Sequence, residues 1–368
     1  MIHRFVDLFE IPLPDIPILG LDNSPLQTRT IWQIGNAATP YRMIRPIVSS
    51  VGATQTHLGD PDRNPADGAS VVYSRFTSSG TITRSVRLVD WADTTDVQLY
   101  SDGTGGVGES LQPVWKPDGT KILFRAGSTL TSIKEMNADG TGVTTLYTGA
   151  ARIHNPLYNH DGTKIGWVEN RSVMVANADG TGATAVFTGA VGTRIAESIA
   201  WQHAASVVAF WHGAGTDEIW KVMNDDGTGL TTWLTISRVG YGPSEGNQTP
   251  IKYSWLESDT GIATTVRQPA DPDPDARLTI ITSAGSNLIS PARYGPANTG
   301  NFDYRPVAIT GRSEGVERIY WPEGHGIGQP VTVSSVLPDG SDYRIDFDGL
   351  GTVGGSVFHG FRGDTLNV

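Results

Sequence analysis

The sequence predicts an all-β protein built from tandem four-stranded sheets, and three observations lead to this prediction. First, 44 glycines and 22 prolines interrupt a chain of 368 residues, which disfavours long helices. Second, one hairpin signal with Asp-Gly at its centre occurs three times, as MNADGTG, ANADGTG and MNDDGTG. Third, the central aspartates of the three copies are 40 and 47 residues apart, so one structural unit repeats along the chain: Asp139, Asp179 and Asp226.

Each repeat contains a second turn upstream of this hairpin. Asp-Gly between short apolar runs favours a tight hairpin, because these residues accept the positive φ angles that a two-residue turn requires. The upstream turns follow aromatic anchors that are 43 residues apart: Trp115, Tyr158 and Trp201. Two hairpins give four strands, and a four-stranded unit of about 43 residues is typical of a β-propeller blade.

The repeat also resembles a known family. An aromatic residue followed by Asp-Gly and an apolar run, and then by Asn-Ala-Asp-Gly-Thr-Gly, is similar to the TolB-type (WD-repeat-like) β-propeller repeat. Related repeats build the propellers of tricorn protease, prolyl oligopeptidases and oligogalacturonate lyases. The resemblance is clear over residues 109–235 and faint elsewhere. It implies a propeller fold, which hosts binding, catalysis and scaffolding alike.

We predict a six-bladed β-propeller of four-stranded antiparallel blades over residues 28–368, preceded by an extended N-terminal arm at residues 1–27. The predicted blades are residues 44–108, 109–150, 151–190, 195–240, 248–292 and 302–350. The first blade is expected to begin with the strand Arg45-Pro46-Ile47-Val48. The segment 28–36 is expected to pair with the last blade and close the ring, since an open ring leaves an unpaired strand edge.

Composition excludes several classes of function. The formal net charge of −11 argues against nucleic acid as a partner. The absence of cysteine excludes disulfides, thiolate metal sites and thiol nucleophiles. No apolar run approaches the roughly 20 residues of a membrane span. Acidic residues interrupt the apolar N-terminus too early for a signal peptide, so we expect cytoplasmic synthesis.

The two faces of the predicted propeller differ in sequence. Both Asp-Gly turns of each repeat lie on one face, the turn face, and the variable connections between blades lie on the other, the loop face. Because the turns are uniform, we expect function on the loop face. In each of the six blades, the residue three positions before the anchor is expected to lie at the channel rim. These six residues are Arg45, Gln112, Asn155, Ser198, Lys252 and Arg305.

Three of these rim residues are cations on an otherwise acidic protein. This predicts a site for a carboxylate, a phosphate or an acidic peptide, because the walls of a channel focus the electric field at its mouth. The alternative is that the cations only form ion pairs with nearby acids, namely Glu109, Glu197 or Asp303. We also expect Trp211, His212 and Tyr241 to be exposed on this face, where they suit recognition of a protein or a carbohydrate or serve as structural caps.

Signals for catalysis and metal binding are weak. Asp60, Asp62 and Asn64 alternate oxygen ligands as calcium loops do, but no bidentate Glu follows, so a solvated acidic turn is favoured. The resemblance to oligogalacturonate lyases implies a histidine cluster around a metal, with candidates His154, His212 and His325. Their spacing does not show that they converge. We predict no cofactor and no catalytic residue.

The N-terminal arm carries many apolar side chains between prolines, which force an extended path. The apolar residues proposed as assembly contacts are Phe5, Phe9, Ile11, Leu13, Ile16 and Ile18. The arm is expected either to pack on its own propeller or to bind another subunit.

The leading functional hypothesis is a non-enzymatic recognition or structural subunit of a larger protein assembly. It contacts other protein subunits through its arm and presents the loop face to an acidic peptide or a carbohydrate. Such an architecture fits a phage virion component, for example a tail or baseplate accessory protein. The alternatives are a cytoplasmic metal-dependent sugar-acid lyase resembling oligogalacturonate lyase, and a TolB-like periplasmic interaction protein.

Overall fold

A computed structural model shows the architecture of most of the chain. The structure describes residues 18–22, 28–34, 43–51, 56–77, 81–90, 95–195, 198–215, 217–237, 253–267, 276–288, 309–313, 316–324 and 331–347. These residues form 28 strands and, within the described ranges, no helix. All strand pairs are antiparallel, and nearly every strand pairs with its neighbour in sequence.

The strands form a three-stranded N-terminal sheet followed by six further sheets, blades 1 to 6. The N-terminal sheet contains β1 (Ile18–Asp22), β2 (Thr28–Ile34) and β3 (Met43–Val51). Blade 1 contains β4 (Thr56–Arg63), β5 (Ser70–Thr77), β6 (Thr83–Asp90) and β7 (Asp96–Thr104). Blade 2 contains β8 (Val114–Trp115), β9 (Lys121–Ala126), β10 (Ser132–Asn137) and β11 (Thr144–Thr148). Blade 3 contains β12 (Ile153–Tyr158), β13 (Lys164–Glu169), β14 (Ser172–Asn177) and β15 (Thr184–Thr188).

The remaining blades repeat this order. Blade 4 has a first strand split into β16 (Arg194–Ile195) and β17 (Ala200–Trp201), both paired with β18 (Val207–Ala214), and continues with β19 (Asp217–Asn224) and β20 (Thr231–Ser237). Blade 5 contains β21 (Ser254–Trp255), β22 (Ile262–Arg267), β23 (Ala276–Thr282) and β24 (Gly285–Leu288). Blade 6 contains β25 (Ile309–Ser313), β26 (Val316–Gly324), β27 (Val331–Val336) and β28 (Arg344–Phe347). The predicted fold class, an all-β propeller with six four-stranded blades, is confirmed.

The start of the first blade differs from the prediction. Arg45 lies on β3, the third strand of the N-terminal sheet, opposite Gln33. The first strand of blade 1 is instead β4, which begins eleven residues after Arg45. The predicted ring-closing segment 28–36 also differs, because β2 has β1 on one side and β3 on the other. Both edges of β2 are therefore occupied within its own sheet.

Apolar layers between successive blades form the core. Trp115 packs with Val72 of blade 1, Tyr158 with Leu123 of blade 2 and Trp201 with Val168 of blade 3. Trp255 lies in the same way in the layer between blades 4 and 5. The aromatic anchors of the repeat thus occupy one layer position, where burial of a large ring contributes several kcal/mol of gross stabilisation, on the order of 25 cal/mol per Å² of apolar surface.

The recurring Asn-x-Asp-Gly-Thr turn has the same geometry in blades 2, 3 and 4. In blade 2, Asp139 Oδ1 accepts hydrogen bonds from the Thr141 backbone N–H at 2.9 Å and from the Thr141 hydroxyl at 2.6 Å. Asp179 with Thr181, and Asp226 with Thr228, repeat both bonds to within 0.1 Å. The recurring residues of the repeat therefore form a turn in which the Asp and Thr polar groups hydrogen-bond to each other.

Candidate functional site

The first strands of blades 1 to 3 share a kink on the loop face. The kink lies at residues with positive φ: Asp60 at 47°, Gln112 at 51° and Asn155 at 43°. The ladder register shifts next to Asp60 and next to Asn155, as at a β-bulge. Each of the three lies three residues before the anchor position of its blade, which in blade 1 is Arg63. Asp60, rather than Arg45, thus holds the predicted rim position of blade 1.

Two of the predicted rim residues contact each other directly. The side-chain oxygen of Gln112 accepts a 2.8 Å hydrogen bond from the backbone N–H of Asn155, and both residues are buried. Ser198 is also buried, and its carbonyl accepts a 2.6 Å bond from the Tyr253 hydroxyl. The rim position thus joins adjacent blades in this part of the ring.

The structure does not place the other predicted rim residues at this position. Lys252, Arg305 and Tyr241 lie outside the described residues, and Arg45 belongs to the N-terminal sheet. Of the three predicted rim cations, Arg45 is therefore elsewhere, and the rim positions of Lys252 and Arg305 remain a prediction.

A charged cluster lies beside the rim between blades 2 and 3. The Arg125 side chain is buried and donates to the carbonyls of Ser110 at 2.9 Å and Ile153 at 2.8 Å. Glu109 pairs through one oxygen with Arg125 at 3.3 Å and through the other with Arg152 at 2.6 Å. The side chains of Glu109 and Arg152 are 39% and 40% exposed. Glu109 is thus an ion-pair partner, as one alternative anticipated, but its cations are Arg125 and Arg152.

Sequence reasoning did not identify Arg125 or Arg152 as members of this cluster. An arginine inside the otherwise apolar strand KILFRA was the available signal for Arg125, since a buried cation requires partners. Arg152 immediately precedes a first strand, where side chains reach the loop face. The cluster provides an accessible guanidinium and an accessible carboxylate 2.6 Å apart, which suits charge-assisted recognition of a polar partner.

His154 lies beside this cluster. Burial lowers the pKa of its imidazole to about 4, and the positive charges of Arg125 and Arg152 act in the same direction. The imidazole is therefore neutral at pH 7 and adds no charge to the cluster.

The expectation of exposed aromatic side chains is wrong for Trp211 and His212. Both lie within β18, which continues through the segment that the prediction had treated as a loop. Because alternate residues of a strand point to opposite faces, Trp211 enters the layer toward blade 5 and His212 the layer toward blade 3. There the His212 ring meets Phe187 edge-on, with centroids 5.2 Å apart.

The calcium candidates take part in contacts between blades. Asp62 accepts a 2.7 Å hydrogen bond from the Trp115 backbone N–H, and Asn64 accepts one of 2.9 Å from Ala66 and donates to the Gly119 carbonyl at 3.4 Å. The Asp62 carboxylate and the Asn64 side-chain nitrogen therefore join blade 1 to blade 2, whereas the Asn64 oxygen accepts within its own turn.

The three histidines proposed as metal ligands are not brought together in the described structure. His154 lies beside the cluster of Glu109, His212 lies in the layer between blades 3 and 4, and His325 is outside the described residues. Among the residues that the structure describes, no group of three or more His, Asp or Glu side chains is arranged to hold a metal ion. In those residues there is also no helix long and apolar enough to cross a membrane.

Comparisons with known proteins support the fold. No protein-family model and no curated protein sequence matches the chain. Among solved structures, TolB from Acinetobacter baumannii matches with a TM-score of 0.50 and 15% identity, over 75% of this chain and 64% of that one. An oligogalacturonate lyase from Vibrio parahaemolyticus matches with a TM-score of 0.55 and 10% identity, over 89% and 83%.

A second lyase structure, an oligogalacturonate lyase in complex with manganese, matches with a TM-score of 0.52 and 12% identity. It covers 88% of this chain and 98% of that one. Identities this low indicate shared architecture, and function is carried by sites rather than by the fold. The recurring turns, the anchor layers and these neighbours together show that the chain has the fold of the TolB-type β-propellers.

Proposed function

We propose that this chain is a non-enzymatic recognition or structural subunit of a larger protein assembly. It binds other protein subunits through its N-terminal arm and a polar partner on its loop face. The observation that carries the proposal is the difference between the two faces of the described blades.

The turn face is occupied by structural contacts. Its recurring turns use their Asp, Asn and Thr side chains on one another, as in the pair Asn177 and Thr181, whose side chains are 2.9 Å apart. The turn glycines also lie against the outer strand of the preceding blade, as Gly180 does against Leu146. Because the turns are uniform and their side chains already form structural contacts, they can vary little to suit a particular partner.

The loop face has the opposite character. Its connections differ from blade to blade, and between blades 2 and 3 they present Glu109 and Arg152, each about 40% exposed. An accessible guanidinium beside the channel mouth suits a carboxylate-bearing partner, such as an acidic peptide or an acidic carbohydrate. Lys252 and Arg305 would extend the positive rim if they occupy their predicted positions.

The N-terminal arm provides the second part of the proposal. Five of its six apolar contact residues lie outside the described residues, and the sixth, Ile18, begins β1. Burial of several such side chains against a neighbouring subunit contributes roughly 1.5 kcal/mol or more each, before ordering costs are subtracted. An assembly of this kind, in which a propeller is attached by an arm and faces outward, suits a tail or baseplate accessory protein of a phage virion.

Removal of residues 1–17 tests the anchoring role. We expect the full chain, tagged at its C-terminus and produced in its native host, to co-purify with partner subunits in fixed ratio. The truncated chain should lose at least about 90% of them, because each lost apolar contact lowers affinity severalfold. Quantitative mass spectrometry of the purified material provides the measurement.

A variant that keeps the arm but changes Asp7, Glu10 and Asp15 to Asn is the matched control and should retain the partners. Circular dichroism should show that both variants keep the β-sheet signal of the full chain. Equal recovery of partners with and without residues 1–17 would contradict the anchoring role.

A further inference from the structure

A stacked pair of histidines joins three blades on the turn face. His160 lies in the first turn of blade 3 and His203 in that of blade 4, and their ring centroids are 4.2 Å apart with planes inclined by 31°. Asp259, in the first turn of blade 5, accepts hydrogen bonds from the His203 backbone N–H at 2.8 Å and from the Ala204 backbone N–H at 2.7 Å. His203 Nδ1 lies 3.0 Å from the same carboxylate.

The hydrogen bonds place a proton on one particular nitrogen of each ring. The carboxylate of Asp259 only accepts, so His203 carries its proton on Nδ1. The carbonyl of Trp201 also only accepts, so His160 Nε2, 3.2 Å away, carries the proton of that ring. The remaining nitrogen of His203, Nε2, is buried and has no hydrogen-bond partner among the described residues.

We propose that His160, His203 and Asp259 form an acid-sensitive clasp, which holds blades 3, 4 and 5 together on the turn face and opens when the imidazoles become protonated. Protonation of His203 places a buried N–H without a partner at Nε2. Protonation of both rings puts two like charges about 4 Å apart. Asp259 hydrogen-bonds to His203 and acts on His160 only through its charge, an effect smaller than that of burial, so the stacked contact between the rings is the part that fails.

Other charged groups near the clasp are already paired or lie on the turns beside it. Asp161 accepts from Thr163 within its own turn, and Lys116 of blade 2, which lies against Gly162, pairs with Asp118. Lys164 pairs with Asp225 of blade 4 at 2.7 Å. On the turn of blade 5, Glu257 is held through its backbone N–H by Glu317 of blade 6.

The direction of the pH effect follows from His160. Burial, and then the neighbouring His203, lower the pKa of His160 to about 4, below the value of 6.5 for a free imidazole. The closed clasp is therefore fully favoured above pH 6.5, and this preference is lost as the pH falls from 6.5 toward 4. With pKa values of 6.5 in the open and about 4 in the closed clasp, uptake of one proton raises the ratio of open to closed clasp about 15-fold between pH 6.5 and pH 5.

Hydrogen–deuterium exchange of the full chain tests the proposal. After correction for intrinsic exchange rates, peptides covering residues 158–164 and 200–207 should exchange about 15-fold faster at pH 5 than at pH 6.5. In His160→Gln, whose side-chain amide can still donate to the Trp201 carbonyl, this acceleration should fall to about threefold or less. In His154→Gln, which removes a histidine of equally low pKa on the loop face, it should persist.

Two results would overturn the clasp. One is equal acid-induced exchange in the wild type and His160→Gln, and the other is no acceleration in the wild type at pH 5. If His160→Gln does not fold, NMR titration of the imidazoles in the wild type decides the question. Titration of His160 near pH 6.5, without a change in the His203 signals, would contradict the coupled pair.

Discussion

Replacement of Asp102 by alanine is expected to lower the free energy of unfolding by about 3–5 kcal/mol, because it leaves the buried charge of Arg84 without its partner. Asp102 Oδ2 lies 2.7 Å from Arg84 Nη2, and the two side chains are only 6% and 1% exposed. The same carboxylate accepts from the Gly127 N–H of blade 2 and from the Tyr100 hydroxyl at 2.9 Å. One side chain thus joins blade 1 to blade 2.

Urea denaturation of the purified variant measures this loss. The matched control is Asp118→Ala, which removes a carboxylate that also pairs with a cation but is 49% exposed, and it should cost less than about 1 kcal/mol. Asp102→Asn should fall between the two, since it keeps the shape and some hydrogen bonds but loses the charge. A loss below about 1 kcal/mol for Asp102→Ala would show that Arg84 does not depend on this partner.

Replacement of Gly180 by alanine is expected to cost about 2–4 kcal/mol, the sum of left-handed backbone strain and overpacking. Gly180 has a φ of 83°, and a β-carbon built on it would lie close to the carbonyl carbon of Leu146, at 2.8 Å, on the outer strand of blade 2. Neither backbone can move without separating the two blades.

Gly182 in the same turn provides a matched control. Its φ is 67°, but the nearest atom to an added β-carbon is a side-chain nitrogen of Asn177 at 3.6 Å. Gly182→Ala therefore carries the backbone strain without the collision and should cost about 1 kcal/mol. The difference between the two variants in thermal or urea denaturation measures the contact between blades. Equal losses would show that the turn of blade 3 does not pack against blade 2 as described.

Much of the fold could be predicted from the sequence because the repeat consists of residues that particular backbone conformations require. Asp-Gly turns and aromatic anchors at fixed spacing specify strands of fixed length, and these signals are strongest in blades 2, 3 and 4. The prediction was less accurate where those signals fade. The first strand of blade 1 lacks an aromatic anchor and carries Arg63 instead, so the sequence alone predicts Arg45-Pro46-Ile47-Val48 as its start.

The candidate site was harder to predict, since its residues are joined by contacts between blades. The alignment of first strands places Gln112 and Asn155 at equivalent positions 43 residues apart, but it does not predict the hydrogen bond that joins them. It did not identify Arg125, whose partners come from two different connections. The same comparison of second strands places Trp211 and His212 level with Arg125 and Ala126 of blade 2, inside the strand, so their burial could have been predicted from the repeat.

We propose that recognition belongs to the loop face and that the turn face is structural. It is tested most directly by reversing one exposed cation on each face, Arg152→Glu on the loop face and Lys116→Glu on the turn face. Both cations pair with a neighbouring carboxylate, Glu109 or Asp118, and their side chains are 40% and 25% exposed, so the two changes should cost similar, small amounts of stability.

The measurement is the amount of partner that co-purifies with each full-length variant from the native host, with stability checked by urea denaturation. We predict that Arg152→Glu reduces the amount of a loop-face partner at least tenfold, a change of about 1.4 kcal/mol in binding, and that Lys116→Glu leaves it unchanged. The opposite pattern, with the partner retained by Arg152→Glu and lost from Lys116→Glu, would contradict the account.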